Sequence, residues 1–254
     1  MVLYMFLMIY GAMVMQSVIE EKSSRVLEVV VSSVRPFELM MGKIFGVASV
    51  AVVQVLIWAV LVCGAGAAVM PHVLPDGAME AAAALQQGGG AATAAAGDFD
   101  PETLGAIALA TDVSYLAMLF GYLLLFVVGG YLLYSAMFAA VGSAVDNAQD
   151  AAQLQTPIMI PIILAVIVEM SVLNDPNSPL AFWFSLIPFT SPVVMMARIP
   201  YGIPTWEIVL SLVLLYAAFV GMVWLSAKIY RVGIFMYGKK PTLREMFRWI
   251  RYKY

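Results

Sequence analysis

Apolar residues in this chain fall into five long runs, at residues 2–19, 44–70, 113–141, 154–173 and 208–230, separated by short charged or proline-rich interludes. Runs of that length expect helices that cross a bilayer rather than segments of a water-soluble core. At ~1.5 Å per residue the shortest reaches about 27 Å, just enough for a hydrocarbon core of roughly 30 Å. No stretch shows the strict alternation of a half-buried strand. The expected fold class is therefore all-α, a polytopic helical membrane bundle forming a single transmembrane domain over residues 1–254.

The interludes carry most of the information. Residues 20–43 read EEKSSRVLEVVVSSVRPFELMMGK. As a helix from Glu20, this stretch puts Glu21, Arg25 and Glu28 on one polar face and Val26, Val29, Val30 and Val34 on the other, an amphipathic element lying along a membrane surface. Pro36 pushes Arg35 toward an extended conformation and stops that helix, and it suits the first turn of the next one. The β-branched run Val29-Val30-Val31 is also compatible with a strand, although the chain offers it no partner strand. Residues 71–112 contain Gly88-Gly89-Gly90, alanine runs and six acids with no lysine or arginine, and are expected to form a flexible loop with one short helix near residues 78–87. Residues 146–150 form a short polar turn. Residues 174–206 are interrupted by six prolines. Pieces 180–187 and 191–199 read as two short helices dipping into the membrane from outside, a wedge carrying Pro188, Phe189, Pro192 and Arg198; an ordinary interfacial loop is the alternative.

Charge placement sets orientation. Lys22, Arg25, Arg35 and Lys43 sit in the first interlude and eight further bases lie from Lys228 to Lys253, leaving Arg198 alone elsewhere. The positive-inside rule then makes residues 20–43 and the basic tail, residues 231–254, cytoplasmic, and the 71–112 loop extracellular. Met1 falls outside with no signal to translocate it, so at least one further span is expected upstream. Composition agrees with the pattern: 63% of the 254 residues are hydrophobic, 11% are charged, and mean hydropathy is +0.93.

Catalytic constellations are missing from the sequence. It contains no GxxxxGK[ST] loop, and one histidine with one cysteine provides neither a zinc cluster nor a nucleophile pair, so no catalytic, metal or cofactor site is expected in this chain. Any ATP-driven activity must use an ATPase on another chain. Glu169 is the one acid within an apolar run, a candidate ion or pathway residue, yet it lies four residues from the end of its span where a carboxylate reaches water. Pro157 and Pro161 are expected to kink the same helix. Gly42 with Gly46, and Gly129 with Gly130, permit close helix approach. The tail interleaves Arg244, Arg248, Arg251 and Lys253 with Phe247, Trp249 and Tyr252, which after a spanning helix suits anionic lipid head groups rather than nucleic acid.

The runs EEKSSRVLEVVVSSVRPFELMMGKIFG, SPLAFWFSLIPFTSPVVMMARIP and AKIYRVGIFMYGKKPTLREMFRWIR together resemble the permease subunits of type-2 ABC exporters, most closely the NatB-like sodium-efflux branch. The resemblance covers nearly the whole chain. It implies that residues 20–43 form a coupling element docking on a cytosolic ATPase that holds ATP and magnesium, with Glu21, Arg25, Glu28, Val29 and Arg35 as its contact residues. It also implies outer re-entrant helices in 174–206, pairing with a second permease copy, identical or not, and residence in the bacterial plasma membrane with the C-terminus inside. Members carry an additional N-terminal span and usually a large extracellular domain, absent here. A gradient-driven carrier or channel and a non-transporting scaffold subunit are the competing functional classes.

Overall fold

A computed structural model describes residues 2–24, 35–74, 77–86, 101–233 and 245–246. Among these residues every regular element is helical. Helix α1 (Val2–Ser23) runs beyond the apolar stretch, so Glu20, Glu21 and Lys22 form its last turn and do not open a new helix as the charge pattern suggested. The hydroxyls of Ser23 and Ser24 donate to the carbonyls of Glu20 and Glu21, at 3.0 and 3.1 Å, and so satisfy acceptors that the helix end leaves open. Residues 25–34, which carry the expected amphipathic face, lie outside the described residues.

Helix α2 (Pro36–Val73) starts at the proline, as expected of a residue with fixed φ and no donor to lose. Its 38 residues reach about 57 Å, well beyond one hydrocarbon core. Two short helices follow, α3 (Ala78–Gln86) and α4 (Pro101–Thr111). Only the first was foreseen. They pack through Ala78, Ala82 and Ile107, with Leu74 and Ala108 against them, so small alanine faces make a hairpin where loop was expected.

Helix α5 (Val113–Ala144) is capped by Asp112, whose Oδ1 accepts from the backbone of Ser114 and Tyr115. Helix α6 (Ala148–Val172) begins behind Asn147, which accepts from the Asp150 amide while its own amide group donates to the Asp150 carboxylate, and it runs on through Pro157 and Pro161. The two short proline-led helices appear as expected: α7 (Pro179–Leu186), capped by Ser178, and α8 (Ser191–Arg198). A 3₁₀ turn (Ile199–Tyr201) closes on Gly202 at φ 72°, and α9 (Thr205–Gly233) completes the chain of helices. Five of these helices, α1, α2, α5, α6 and α9, are long and apolar enough to cross a membrane.

The chain divides into two compact units, residues 1–52 with 125–254, and residues 53–124. The second contains the α3–α4 hairpin. In the first unit α5 approaches three other helices closely at its glycines. Gly130 lies where a β-carbon would come within 2.9 Å of Pro192 in α8, Gly129 where it would meet Leu215 in α9, and Gly142 where it would stand 2.7 Å from the carbonyl of Met15 in α1. The close approach expected at Gly129 and Gly130 is thus used, whereas a β-carbon at Gly42 or Gly46 would meet nothing among the described residues. Aromatic hydroxyls lock the contacts made: Tyr131 donates to the Ile44 carbonyl at 2.9 Å, and Tyr134 to the Phe189 carbonyl at 2.6 Å, tying α5 to α2 and to the α7–α8 connection. Ala165, Val168 and Val172 of α6 bury against Ala181, Val193 and Val194 of the two short helices.

This packing separates the glycines by consequence. Gly142→Ala must move the α1 backbone and is expected to cost about 1–3 kcal/mol by overpacking, while Gly46→Ala should be neutral. Thermal unfolding of the two purified variants in detergent checks the contrast, and equal midpoints would contradict it.

Candidate functional site

Two buried polar clusters occupy the first unit. One stands where α1, α5 and α9 end. Helices leave their last carbonyls without partners, and two such ends, Ser143 of α5 and Gly233 of α9, meet here with a close approach that only glycine at 233 permits. Lys22 enters from the last turn of α1. Its ammonium is fully buried and donates to both carbonyls at 2.9 Å while pairing with the Asp146 carboxylate at 3.0 Å. A cation at the negative ends of two helix dipoles is held by geometry as well as by its counter-ion. Beside it, Lys43 of α2 pairs with Glu21 at 2.8 Å and donates to the carbonyl and hydroxyl of Ser17 at 2.8 and 3.0 Å. Three consecutive features of α1, Ser17, Glu21 and Lys22, therefore bind it to α2, α5 and α9. In sequence, residues 25–34 follow α1 and residues 234–254 follow α9.

The second cluster holds the proline-rich hairpin. Arg198, at the end of α8, is almost wholly buried. It pairs with Glu207 at 2.8 Å, donates to the Ser185 hydroxyl at 2.6 Å through Nη1, and donates through Nε to the Pro176 carbonyl at 2.8 Å. Ser211 of α9 donates to the carbonyl of Ser185 at 2.7 Å. Thr190 donates to the Phe184 carbonyl, which tightens the α7–α8 turn. The network gives donors to backbone carbonyls that the proline breaks leave without helical partners. Its cost is two desolvated charges, offset by a short ion pair and the two hydrogen bonds that Arg198 donates.

The residues expected from sequence divide accordingly. Glu21 is half-buried and engaged with Lys43, and Arg35 is exposed just ahead of α2, its carbonyl accepting from Leu39. Arg25, Glu28 and Val29 lie outside the described residues. So do the tail bases and aromatics from Lys239 onward, the described part of the tail being residues 231–233 with Glu245 and Met246. Pro188 and Phe189 form the α7–α8 connection, Pro192 packs on Gly130, and Arg198 centres the second cluster. Glu169 is half-buried near the end of α6, beside Val168 and Val172, which pack against α8. Lys22, Asp146, Ser185 and Glu207 were not singled out. Arg198 gave a signal, since a lone base far from the other bases needs an acid, and Glu207 is the nearest acid following it.

The family model that matches residues 1–228 is described as an ABC-2 family transporter protein. The chain is 27% identical over 246 residues to the uncharacterized protein YhaP of Bacillus subtilis, covering 96% of this chain and 52% of that protein. It is 28% identical over 248 residues to the uncharacterized protein MJ1024 of Methanocaldococcus jannaschii, covering 97% and 51%. The chain thus spans about half the length of these relatives. No solved structure matches it.

Breaking either cluster on one side leaves a buried charge or helix end unpaired. Arg198→Met is expected to cost about 3–5 kcal/mol, and Arg198→Met with Glu207→Met to regain most of it. Lys22→Met should fall near the lower end of that range because Asp146 keeps 31% of its side chain exposed. Unfolding in mixed detergent and dodecyl sulfate measures all three. Additive losses in the Arg198/Glu207 pair would contradict the ion-pair assignment.

Proposed function

The chain belongs to the ABC-2 family of transporter proteins, and we propose that it acts as the permease subunit of an ATP-driven exporter, coupled to a separate ATPase. The observation carrying this reading is the family match over residues 1–228 of a chain with five spanning helices. Two further features support it. Residues 25–34 follow in sequence a helix end that Lys22, Glu21 and Ser17 fix to α2, α5 and α9, so movement of that end is passed to those three helices. The same end carries the basic residues, which the positive-inside rule assigns to the cytoplasm, where an ATPase resides.

In this mechanism ATP and magnesium bind the partner, whose closure moves the 20–36 segment. Arg25, Glu28, Val29 and Arg35 contact that partner. Glu21 sets the root of the segment through Lys43. The bundle then shifts between inward- and outward-facing states whose relative populations the ATPase changes. Two permease copies, alike or different, enclose the pathway. Pro188, Phe189, Pro192 and Arg198 hold the outer hairpin as its cap. A sodium ion is the cargo favoured by the motif resemblance, with Glu169 as the carboxylate able to meet it.

Co-purification from membranes tests the coupling. Arg25→Glu with Glu28→Lys is expected to lose the ATP-hydrolysing protein that the unaltered chain brings down. Gly46→Ala, on the same helix as Lys43 and expected to be neutral to packing, should retain it. Failure of the unaltered chain to recover any ATPase, in membranes that also contain the rest of its assembly, would overturn the proposal.

A further inference from the structure

A cavity of about 180 Å³ lies among α5, α6 and α9, lined by Met137 and Ala140, by Leu154 and Ile158, and by Met222 and Ser226, with buried Met246 of the tail also on its wall. Its walls are apolar apart from Ser226, whose hydroxyl is fully buried and makes no hydrogen bond among the described residues. A buried hydroxyl without a partner is costly, on the order of 1–3 kcal/mol, and asks for a ligand group to complete it. The size is close to that of engineered apolar cavities of roughly 150 Å³ that bind benzene-sized molecules, and below the roughly 300–1,000 Å³ of drug-sized pockets. The occupant is therefore slender.

Its depth in the bilayer is marked from within α9. Lys228 lies 3.8 Å over the Trp224 ring, a pairing suited to the head-group level, and Ser226 is two residues, about 3 Å along the axis, from each. From Ile229 back to Met222 the cavity wall extends about 10 Å into the span. We propose that this cavity binds a single fatty-acyl chain, whose carboxylate or ester carbonyl accepts from Ser226 at the depth marked by the Trp224–Lys228 pair. The proposal rests on the basic end lying at a membrane surface and is independent of any ATPase, so loss of the coupling reading leaves it standing.

The test uses the full chain in native membranes with two probes, palmitate and phosphatidylglycerol, each carrying a mid-chain diazirine and a terminal alkyne. Illumination is expected to label peptides spanning residues 137–141 and 222–229, with labelling competed by unlabelled palmitate. Whichever probe labels at lower concentration identifies the source of the chain as free acid or phospholipid. Ala140→Phe, which fills the cavity, should abolish this labelling. Ser226→Ala should raise the half-saturating concentration roughly three- to tenfold, the loss of one hydrogen bond. Labelling confined to outward residues such as Val209, Val213 and Val220, or unchanged by both variants, overturns the proposal. So does labelling that appears only after truncation before Glu245, which would make the chain's own tail the occupant.

Discussion

A fully buried ammonium joins the ends of three helices. Lys22 satisfies two carbonyls that α5 and α9 cannot satisfy for themselves, and Asp146 supplies its counter-charge from the α5–α6 turn. Each part requires the others: the carbonyls attract the cation, the glycine at 233 lets the helix ends approach, and Asp146 keeps the charge from standing alone in a low-dielectric site. Lys43 with Glu21 extends the same junction to α2. The apolar faces of the spans give little discrimination between neighbouring helices, because lipid is as apolar as leucine. Polar contacts of this kind, with glycine-mediated close packing, decide which helices meet.

The Arg198 cluster solves a different problem by similar means. A hairpin with two proline-led helices of eight residues each has more open backbone groups than a spanning helix, and it survives among spans because Arg198, Thr190 and Tyr134 supply donors to its carbonyls. Glu207 neutralises the arginine from the first turn of α9, where a carboxylate also suits the positive end of the helix dipole. The first unit is thus fastened by buried charge at two separate places, while its middle is held by α5 glycines and aromatic rings.

Much of this was legible in the sequence. Run length gave the five spans, Pro36 the start of α2, and proline spacing the α7–α8 hairpin to within a residue. Charge pattern misled at Glu20, because polar residues at a span's end read as a boundary although they continue the helix and pair sideways. Helix α4 was missed since its alanine-rich face is stabilised by α3, a contact distant in sequence. Lys22 was counted only as one of several bases marking a side of the membrane. Nothing local distinguishes a lysine that faces water from one that reaches carbonyls 121 and 211 residues away. The glycines show the same limit from the other direction: Gly42 and Gly129 look alike in sequence, and only the neighbours brought by folding separate them.

The central claim is that residues 25–34, rooted in the Lys22 junction, meet an ATPase. A photo-crosslinking amino acid placed in turn at each of these ten positions, in native membranes with nucleotide present, tests it most directly. The account expects crosslinks to one cytosolic nucleotide-binding protein, strongest at positions near Arg25 and Glu28 and changed by ATP. Crosslinks to lipid and to this chain alone, at every position and with or without ATP, would contradict it.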